Sequence, residues 1–186
     1  DLGETELYIE ENNTGSISDI DSALIVHDKV NQKSLLNLND CIFNQLHVEK
    51  LQKIISKFTD NIDLLALGYT GAGPFPQTYF DLNREKDILL EKADIKKKQF
   101  FDRYLKYTNS FPSTHHLPFA GEYILGGKLV ELNQYRGVSD AFEVIEFDKK
   151  ALVFNTGGYI NLLNNSMNFK HSRHWCLYPQ NYWQLQ

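Results

Sequence analysis

Two aliphatic runs near the start of the chain have the pattern of a β-hairpin. Residues 21–26 are rich in aliphatic side chains, and residues 35–38 alternate apolar and polar positions. The polar segment 28–33 between them is typical of a turn. A shorter strand is predicted over residues 6–10. The beginning of the chain is therefore predicted to form a hairpin preceded by a further strand.

The next segment alternates between helix and strand. Apolar residues recur at helical spacing at Val48, Leu51, Ile55 and Phe58. Asn44 stands where the N-cap of this helix is expected. Residues 62–67 are a nearly continuous apolar run, as in a strand that is covered on both faces. Strand, helix and strand in this order predict a layered α/β unit.

The remaining pattern predicts one long helix or two joined helices, followed by strands. Residues 84–107 are charged and amphipathic, and the lysines at 96–98 are expected on a solvated face. Strands are predicted over residues 115–125, 142–147 and 151–154. Together these elements predict an α+β fold of the layered α/β type, a mixed sheet with helices on its outer face.

An acidic residue follows the second strand of the hairpin, where strand gives way to helix. Asp40 at such a position can be held rigidly while it faces a cleft. Its side chain, like that of Asn39, can equally cap the helix that follows. On the residues alone both roles remain open.

A loop rich in glycine and proline follows the buried strand. Residues 68–76 contain three glycines and two prolines, which can neither extend a strand nor begin a regular helix. Their spacing matches neither the P-loop nor the dinucleotide-binding fingerprint. The loop is either an ordinary turn or the wall of a ligand cleft. The residues that would contact a substrate there are Tyr69, Gly71, Gly73 and Pro74.

Composition limits the class of protein. The chain has 186 residues with 42% hydrophobic and 23% charged side chains, which is typical of a soluble globular domain. The net charge of −5 argues against a nucleic-acid partner, and no apolar run reaches the roughly 20 residues of a membrane span. Two cysteines are too few for a disulfide scaffold and favour a reducing compartment, so a cytoplasmic location is expected.

A family resemblance rests on four segments taken together. These are residues 21–26, 36–41, 64–76 and 117–123. They resemble the second half of a metallo-β-lactamase-fold metal-dependent hydrolase. The branch that they resemble contains the metallohydrolase-like domain of the CMP-N-acetylneuraminate hydroxylases.

The resemblance implies a partial domain with a metal ligand. Residues 1–135 would be the C-terminal half of an αββα sandwich, and residues 136–186 a β-rich extension of the same domain. In this family an Asp at the matching strand end bridges two metal ions. The resemblance therefore implies that Asp40 is a ligand of a divalent metal ion, which would be zinc, iron or manganese. The last ligand His of catalytic relatives falls near residues 116–119, which makes His116 a second metal candidate.

The chain departs from the family's pattern in its metal ligands. No segment matches the His-x-His-x-Asp-His cluster, and Pro118 stands at the position aligned with the last ligand His. His115 and His116 are out of register with that position, and adjacent residues on a strand point to opposite faces. Because a transition-metal centre usually needs at least three protein ligands, we expect no tight metal binding by this chain alone.

Two functions follow from the resemblance. In the first, the chain is part of a metal-dependent hydrolase. In such an enzyme, metal-activated water attacks a phosphoester, amide or lactone of a small-molecule substrate. Such a chain would be inactive without the missing N-terminal half, and its catalytic residues are unknown. The second is a metal-free binding or assembly module derived from the same fold. In both, an apolar sheet face needs a cover, and the candidates are the C-terminal segment 117–186, a second copy of the chain and that N-terminal half. Association with one of the last two is expected.

Other histidines and cysteines carry weaker signals. His171, His174 and Cys176 superficially resemble a metal-binding group, but they lack the second pair that makes such spacings specific, so a surface or core role is favoured. Cys41, next to Asp40, could be a nucleophile, although a free cysteine is more often a small buried hydrophobic residue.

Overall fold

Five strands form one mixed β-sheet. The computed structural model describes residues 3–16, 20–119, 123–155 and 157–169. The strands are β1 (Thr5–Asn13), β2 (Ile20–Asp28), β3 (Lys33–Asn37), β4 (Ile62–Gly68) and β5 (Ser113–Phe119). They lie side by side in chain order, with antiparallel pairing from β1 to β3 and parallel pairing from β3 to β5. The predicted α+β class with a mixed sheet is therefore confirmed.

Helices connect the parallel strands and follow the sheet. The further elements are α1 (Gln45–Ile55), α2 (Lys86–Ser110), a 3₁₀ helix (Gly127–Tyr135), α3 (Ala141–Phe147), β6 (Tyr159–Asn161) and β7 (Ser166–Asn168). As predicted, Asn44 caps α1: its side-chain oxygen accepts a hydrogen bond from Leu46 N at 3.1 Å. Asn39 and Asp40 do not cap this helix, so that alternative was wrong, because the capping position lies four residues beyond Asp40.

The alternation of side chains along the strands gives the sheet two different faces. We call one the helical face. Its central cross-strand row is Tyr8, Ile25, Leu36, Leu65 and His116. The three α-helices add to the hydrophobic core on this face the side chains Val48, Leu51, Tyr104, Tyr107 and Val144. The helical face is thus covered by α1, α2 and α3 together.

The opposite face, which we call the second face, is also largely apolar. One of its cross-strand rows is Leu7, Val26, Leu35, Leu64 and His115, and the next is Ile9, Leu24, Asn37, Ala66 and Leu117. In the described part of the chain, none of these residues belongs to the core that the helices share. Leu7 is 47% and Ile9 75% exposed, whereas Leu64 and Ala66 are buried. The exposed apolar surface of the second face therefore lies toward β1.

The predicted strand over residues 142–147 was wrong, because this segment is helical. The Asp140 carboxylate accepts a hydrogen bond from Phe142 N at 2.9 Å, and the Glu143 carboxylate accepts one from Asp140 N at 2.9 Å. This capping box fixes the start of α3. Over seven residues the run of apolar and acidic positions fits both the helical period and the alternation of a strand. Val144 is the one buried residue of the helix. The tertiary environment therefore decides between strand and helix here.

Two further strand predictions were only partly correct. The predicted strand over 115–125 ends at Phe119. Of residues 151–154, Ala151 alone takes part in a β-bridge, pairing with His116 at the outer edge of β5. This short contact adds no sixth strand to the sheet in the described ranges.

The predicted β-rich character of residues 136–186 is not found where they are described. That part holds α3 and the short hairpin of β6 and β7. His171, His174 and Cys176 lie outside the described residues. In the ranges that the structure covers, no helix has the length and apolar character that a bilayer crossing requires.

Leu65 is fully buried in β4 on the helical face, between Leu36 and His116. Leu65→Asp should lower the free energy of unfolding by several kcal/mol, roughly 3 or more, because it places an unpaired carboxylate in the core. Urea denaturation followed by circular dichroism measures this loss. Leu46→Asp is the control, since Leu46 in α1 is 70% exposed. Equal losses in the two variants would contradict the burial described here.

Candidate functional site at the carboxyl edge of the parallel strands

The carboxyl ends of β3, β4 and β5 meet at one edge of the sheet, where α/β proteins commonly bind ligands. The segment after β3 is held against the end of β4, because Leu38 N donates to Ala66 O at 2.8 Å and Gly68 N donates to Asn39 O at 3.3 Å. Asn39 has a φ of 46°, which asparagine tolerates better than most residues. This turn places Asp40 at the surface beside Gly68.

Charged groups from three parts of the chain meet at this edge. A Cβ built on Gly68 would lie 3.4 Å from Arg103 Nη2 and 3.6 Å from Asp40 Oδ1, so both charges flank the same glycine. The Asp21 carboxylate, at the start of β2, accepts hydrogen bonds from Asn39 Nδ2 at 3.3 and 3.4 Å. The edge therefore combines two carboxylates with one guanidinium.

The Arg103 guanidinium is partly buried and weakly paired. Its Nη2 donates to Thr70 O at 3.4 Å, and its carbon Cζ lies 5.0 Å from the centroid of the Phe100 ring. No carboxylate among the described residues forms an ion pair with it. Burial lowers the pKa of the guanidinium, while Tyr107 and Asp40 act in the opposite direction. Arginine nevertheless remains protonated at any physiological pH.

An open cavity of about 320 Å³ lies beside this arginine, between α2 and the segment that follows Asp40. Its lining residues are Ile42, Phe43, Gln99, Asp102, Arg103 and Lys106. The Lys106 ammonium lies 5.6 Å from the centroid of the Phe43 ring. We call this space the Arg103 cavity. The glycine-rich loop does not contribute to its lining.

The cavity wall after Asp40 is fixed by hydrogen bonds to its backbone. Tyr107 OH donates to Ile42 O at 2.9 Å, and Asn12 Nδ2 donates to the same oxygen at 2.8 Å. Cys41 is buried, and burial, together with the negative charge of Asp21, raises the pKa of its thiol to about 12. The thiol is therefore protonated at neutral pH, which does not suit a nucleophile.

The glycine-rich loop packs on α2. Lys96 Nζ donates to Phe75 O at 2.8 Å, and a Cβ at Gly71 would lie 2.7 Å from Phe100 Cζ. A larger residue at position 71 would therefore require the Phe100 ring to shift. Burial lowers the pKa of Lys96. The expectation that residues 96–98 form a solvated face was therefore wrong for Lys96, because this lysine fastens the loop to the helix.

The predicted substrate-loop residues lie in different environments. Tyr69 is only 4% exposed and belongs to the hydrophobic core. Gly71 is partly buried against Phe100, while Gly73 and Pro74 are exposed. The structure does not bring these four residues together around one cavity, and their role in substrate binding stays a prediction.

His116 lies in a buried network on the helical face. Its Nδ1 is 2.6 Å from Asp148 Oδ2, and its Nε2 is 2.8 Å from Ser113 Oγ. Tyr104 OH donates to the same oxygen of Asp148 at 2.7 Å. A serine, a histidine and an aspartate in this order resemble a hydrolytic triad, but Ser113 is only 2% exposed and cannot meet a substrate. The network instead ties β5, α2 and the segment after α3 together.

The two predicted metal candidates are not brought together. His116 pairs with Leu65, whereas Asp40 lies beside Gly68, three residues further along β4. At about 3.3 Å per residue this places them roughly 10 Å apart along the strand. His115 points to the second face. No group of three His, Cys, Asp or Glu side chains in the described ranges could hold a metal ion. These residues therefore do not fit a metal centre by themselves.

Arg103 was missed by the reasoning from sequence. It is the one arginine in a helix whose other cations are lysines. It also stands three residues after Phe100 and directly before the buried Tyr104, at the boundary of the apolar face. Lysine would suffice for solubility at such a boundary. The choice of arginine there was the signal in the sequence that marks this position as a candidate for binding.

Comparisons of the chain with protein-family models, with curated proteins and with solved structures found no match. The function of this edge is therefore argued from its own geometry.

Asp148 should make the stability of the fold sensitive to acid. Burial raises the pKa of its carboxyl, but hydrogen bonds from His116, Tyr104 and the Lys150 backbone outweigh this, so the net pKa lies below the ordinary value of 3.8. A carboxylate whose pKa is lowered by folding stabilises the protein above the unfolded pKa. This contribution is lost as the pH falls through the lower, folded pKa.

The free energy of unfolding of the wild type should therefore fall more steeply than that of Asp148→Asn as the pH drops below about 4.5. Urea denaturation at a series of pH values measures both slopes. Asp94→Asn, at an exposed position of α2, is the matched control and should keep the wild-type slope. Identical slopes for the wild type and Asp148→Asn would show that the carboxyl is not perturbed.

Proposed function

We propose that this chain is one layer of a metallo-β-lactamase-like, metal-dependent hydrolase and is inactive by itself. The observation that carries the proposal is the difference between the two sheet faces. Three helices cover the helical face, while the second face is apolar and partly exposed. In an αββα sandwich a second face of this kind packs against another sheet about 10 Å away.

Asp40 is the side chain that this layer would contribute to a metal site. It is exposed at the carboxyl edge, on a turn held by hydrogen bonds to β4. Carboxylate oxygens are suitable ligands for zinc, iron and manganese, but the other ligands would have to come from the partner layer. We assign no catalytic residue to the described chain. The substrate class under this proposal is a small phosphoester, amide or lactone.

A metal-free binding or assembly module of the same fold is the second candidate. It is favoured by His116, because both of its ring nitrogens are engaged by Asp148 and Ser113 and neither is directed toward Asp40. Under this alternative Asp40 has no metal-binding role, although the second face would still bind a partner. The two candidates therefore differ at Asp40 and agree on the second face.

A partner sheet would come from a separate segment or from a second copy of this chain. It would gain the most binding free energy at the exposed end of the second face. Full burial of a leucine or isoleucine side chain is worth roughly 1.5–3 kcal/mol relative to full exposure. Leu7 and Ile9 are 47% and 75% exposed, so covering both would contribute on the order of 2–4 kcal/mol before the cost of association. Val26 and Leu24, their neighbours on β2, are partly exposed and add to this area.

The purified chain should associate through its second face. Sedimentation velocity at high micromolar concentration should show dimers or larger closed species, and Ile9→Asp should shift them to monomers because it puts a charge into the contact. Leu46→Asp, an equally drastic change on the exposed side of α1, is the control and should leave association unchanged. A stable wild-type monomer at that concentration would contradict the predicted self-association.

The chain alone should bind Zn²⁺ and Mn²⁺ no tighter than about micromolar, since a tight site needs about three protein ligands. If Asp40 is a ligand, weakly bound Mn²⁺ should broaden the amide NMR signals of residues 37–41. Asp40→Asn should abolish this broadening. Asp60→Asn, at another exposed aspartate, is the control and should retain it.

Broadening that is absent, or that persists in Asp40→Asn, would exclude the metal role and leave the metal-free module. Stoichiometric zinc retained through dialysis against a mild chelator would contradict the predicted weak binding.

A further inference from the structure

We propose that the Arg103 cavity is a binding site for a small monocarboxylate with an apolar body. This inference does not depend on the hydrolase proposal, because the cavity uses neither Asp40 nor a metal ion. Its lining comes from α2 and from the segment that follows Asp40.

The Arg103 guanidinium is weakly paired. A guanidinium has five N–H donors, and Arg103 uses one of them in a long hydrogen bond to Thr70 O among the described residues. A charge that is partly removed from water needs a counter-ion to offset the cost of its desolvation. The contact with the Phe100 ring offsets part of this cost without using a hydrogen-bond donor, and the other donors have no partner among the described residues. A bound carboxylate would accept two parallel hydrogen bonds from the fork of the guanidinium.

The lining of the Arg103 cavity is charged. Arg103 and Lys106 are positive and Asp102 is negative, so the six lining residues carry one net positive charge. Asp40, which flanks Arg103 beside Gly68, lies outside this lining. Gln99 adds a neutral side-chain amide, which can donate a further hydrogen bond to an anion. A monoanion matches this balance better than a dianionic phosphate monoester. The carboxylate is therefore the favoured head group.

One wall of the Arg103 cavity is apolar. Ile42 and Phe43 face the cavity on the side opposite α2, and their backbone is held by Tyr107 and Asn12. The depression is open to solvent and has a volume of about 320 Å³. An aromatic ring or a short branched chain would contact the Phe43 ring while its carboxylate meets Arg103. The wall thus favours an organic acid over an inorganic anion.

Benzoate is a suitable probe, and benzamide is its neutral counterpart of nearly the same shape. Titration of the full chain with each, followed by amide NMR shifts with a metal chelator present, gives both the affinity and the location. Benzoate should bind at least about tenfold more tightly than benzamide, since the charge-assisted pair is lost in the amide. The shifts should cluster at residues 42–43 and 99–106. Phenyl phosphate and inorganic phosphate should bind more weakly than benzoate.

Variants assign the binding to Arg103. Arg103→Gln should weaken benzoate binding at least about tenfold, and Arg103→Lys should weaken it less, since lysine keeps the charge but loses the fork. Arg84→Gln, at an exposed arginine just before α2, is the control and should bind benzoate as the wild type does. Circular dichroism and thermal unfolding show whether each variant is folded.

Several results would overturn the inference. Equal affinity for benzoate and benzamide, or shifts located elsewhere in the wild type, would exclude a carboxylate site here, and neither result requires a folded variant. Unchanged benzoate binding by a folded Arg103→Gln protein would exclude the role of Arg103. Tighter binding of phenyl phosphate than of benzoate would overturn the assignment to monocarboxylates. Because metal is chelated throughout, these outcomes are independent of the role of Asp40.

Discussion

The position of β4 between two parallel neighbours is the constraint on which the rest of the structure depends. Parallel strands have to be joined by crossovers, and α1 and α2 provide them. Such crossovers are right-handed. When successive parallel strands are added to a sheet in the same direction, right-handed crossovers place their helices on the same side of the sheet. Both helices accordingly pack on the helical face, and the chain order of the strands leaves the second face without them. The same parallel ends create the carboxyl edge where Asp40 and Arg103 meet.

Sequence patterns predicted the elements whose period was unambiguous. Val48, Leu51, Ile55 and Phe58 fit helical spacing alone, and α1 contains the first three of them and ends at Ile55. Residues 62–67 are short and nearly continuously apolar, as in a strand that is covered on both faces. Residues 142–147 fit both periods, and the deciding contacts, the capping box of Asp140 and the burial of Val144, exist only in the folded protein. The local pattern was therefore sufficient to predict an element where its length or spacing excluded either helix or strand. It was insufficient where both remained compatible with the sequence.

The candidate site was predictable only in part for the same reason. The end of β3 fixed the place of Asp40, and the alternation of strand residues correctly separated His115 from His116. That His116 is engaged by Asp148 depends on a contact 32 residues apart in the chain. The Arg103 cavity depends on how α2 is rotated against the segment after Asp40. Neither fact is encoded in a local pattern, so both had to come from the tertiary structure.

The two edges of the sheet differ in a way that limits how copies of the molecule can stack. At the outer edge of β5 one residue is paired, because His116 N donates to Lys150 O at 3.0 Å and Leu152 N donates to His116 O at 2.8 Å. β1 is the other edge strand, and it carries the glutamates Glu6, Glu10 and Glu11. Glu6 is ion-paired with Lys29 and Glu10 with Lys50, and charged side chains along an edge strand oppose its pairing with another copy. The charged side chains of β1 and the bridge on β5 therefore both disfavour edge-to-edge growth of the sheet into a fibre.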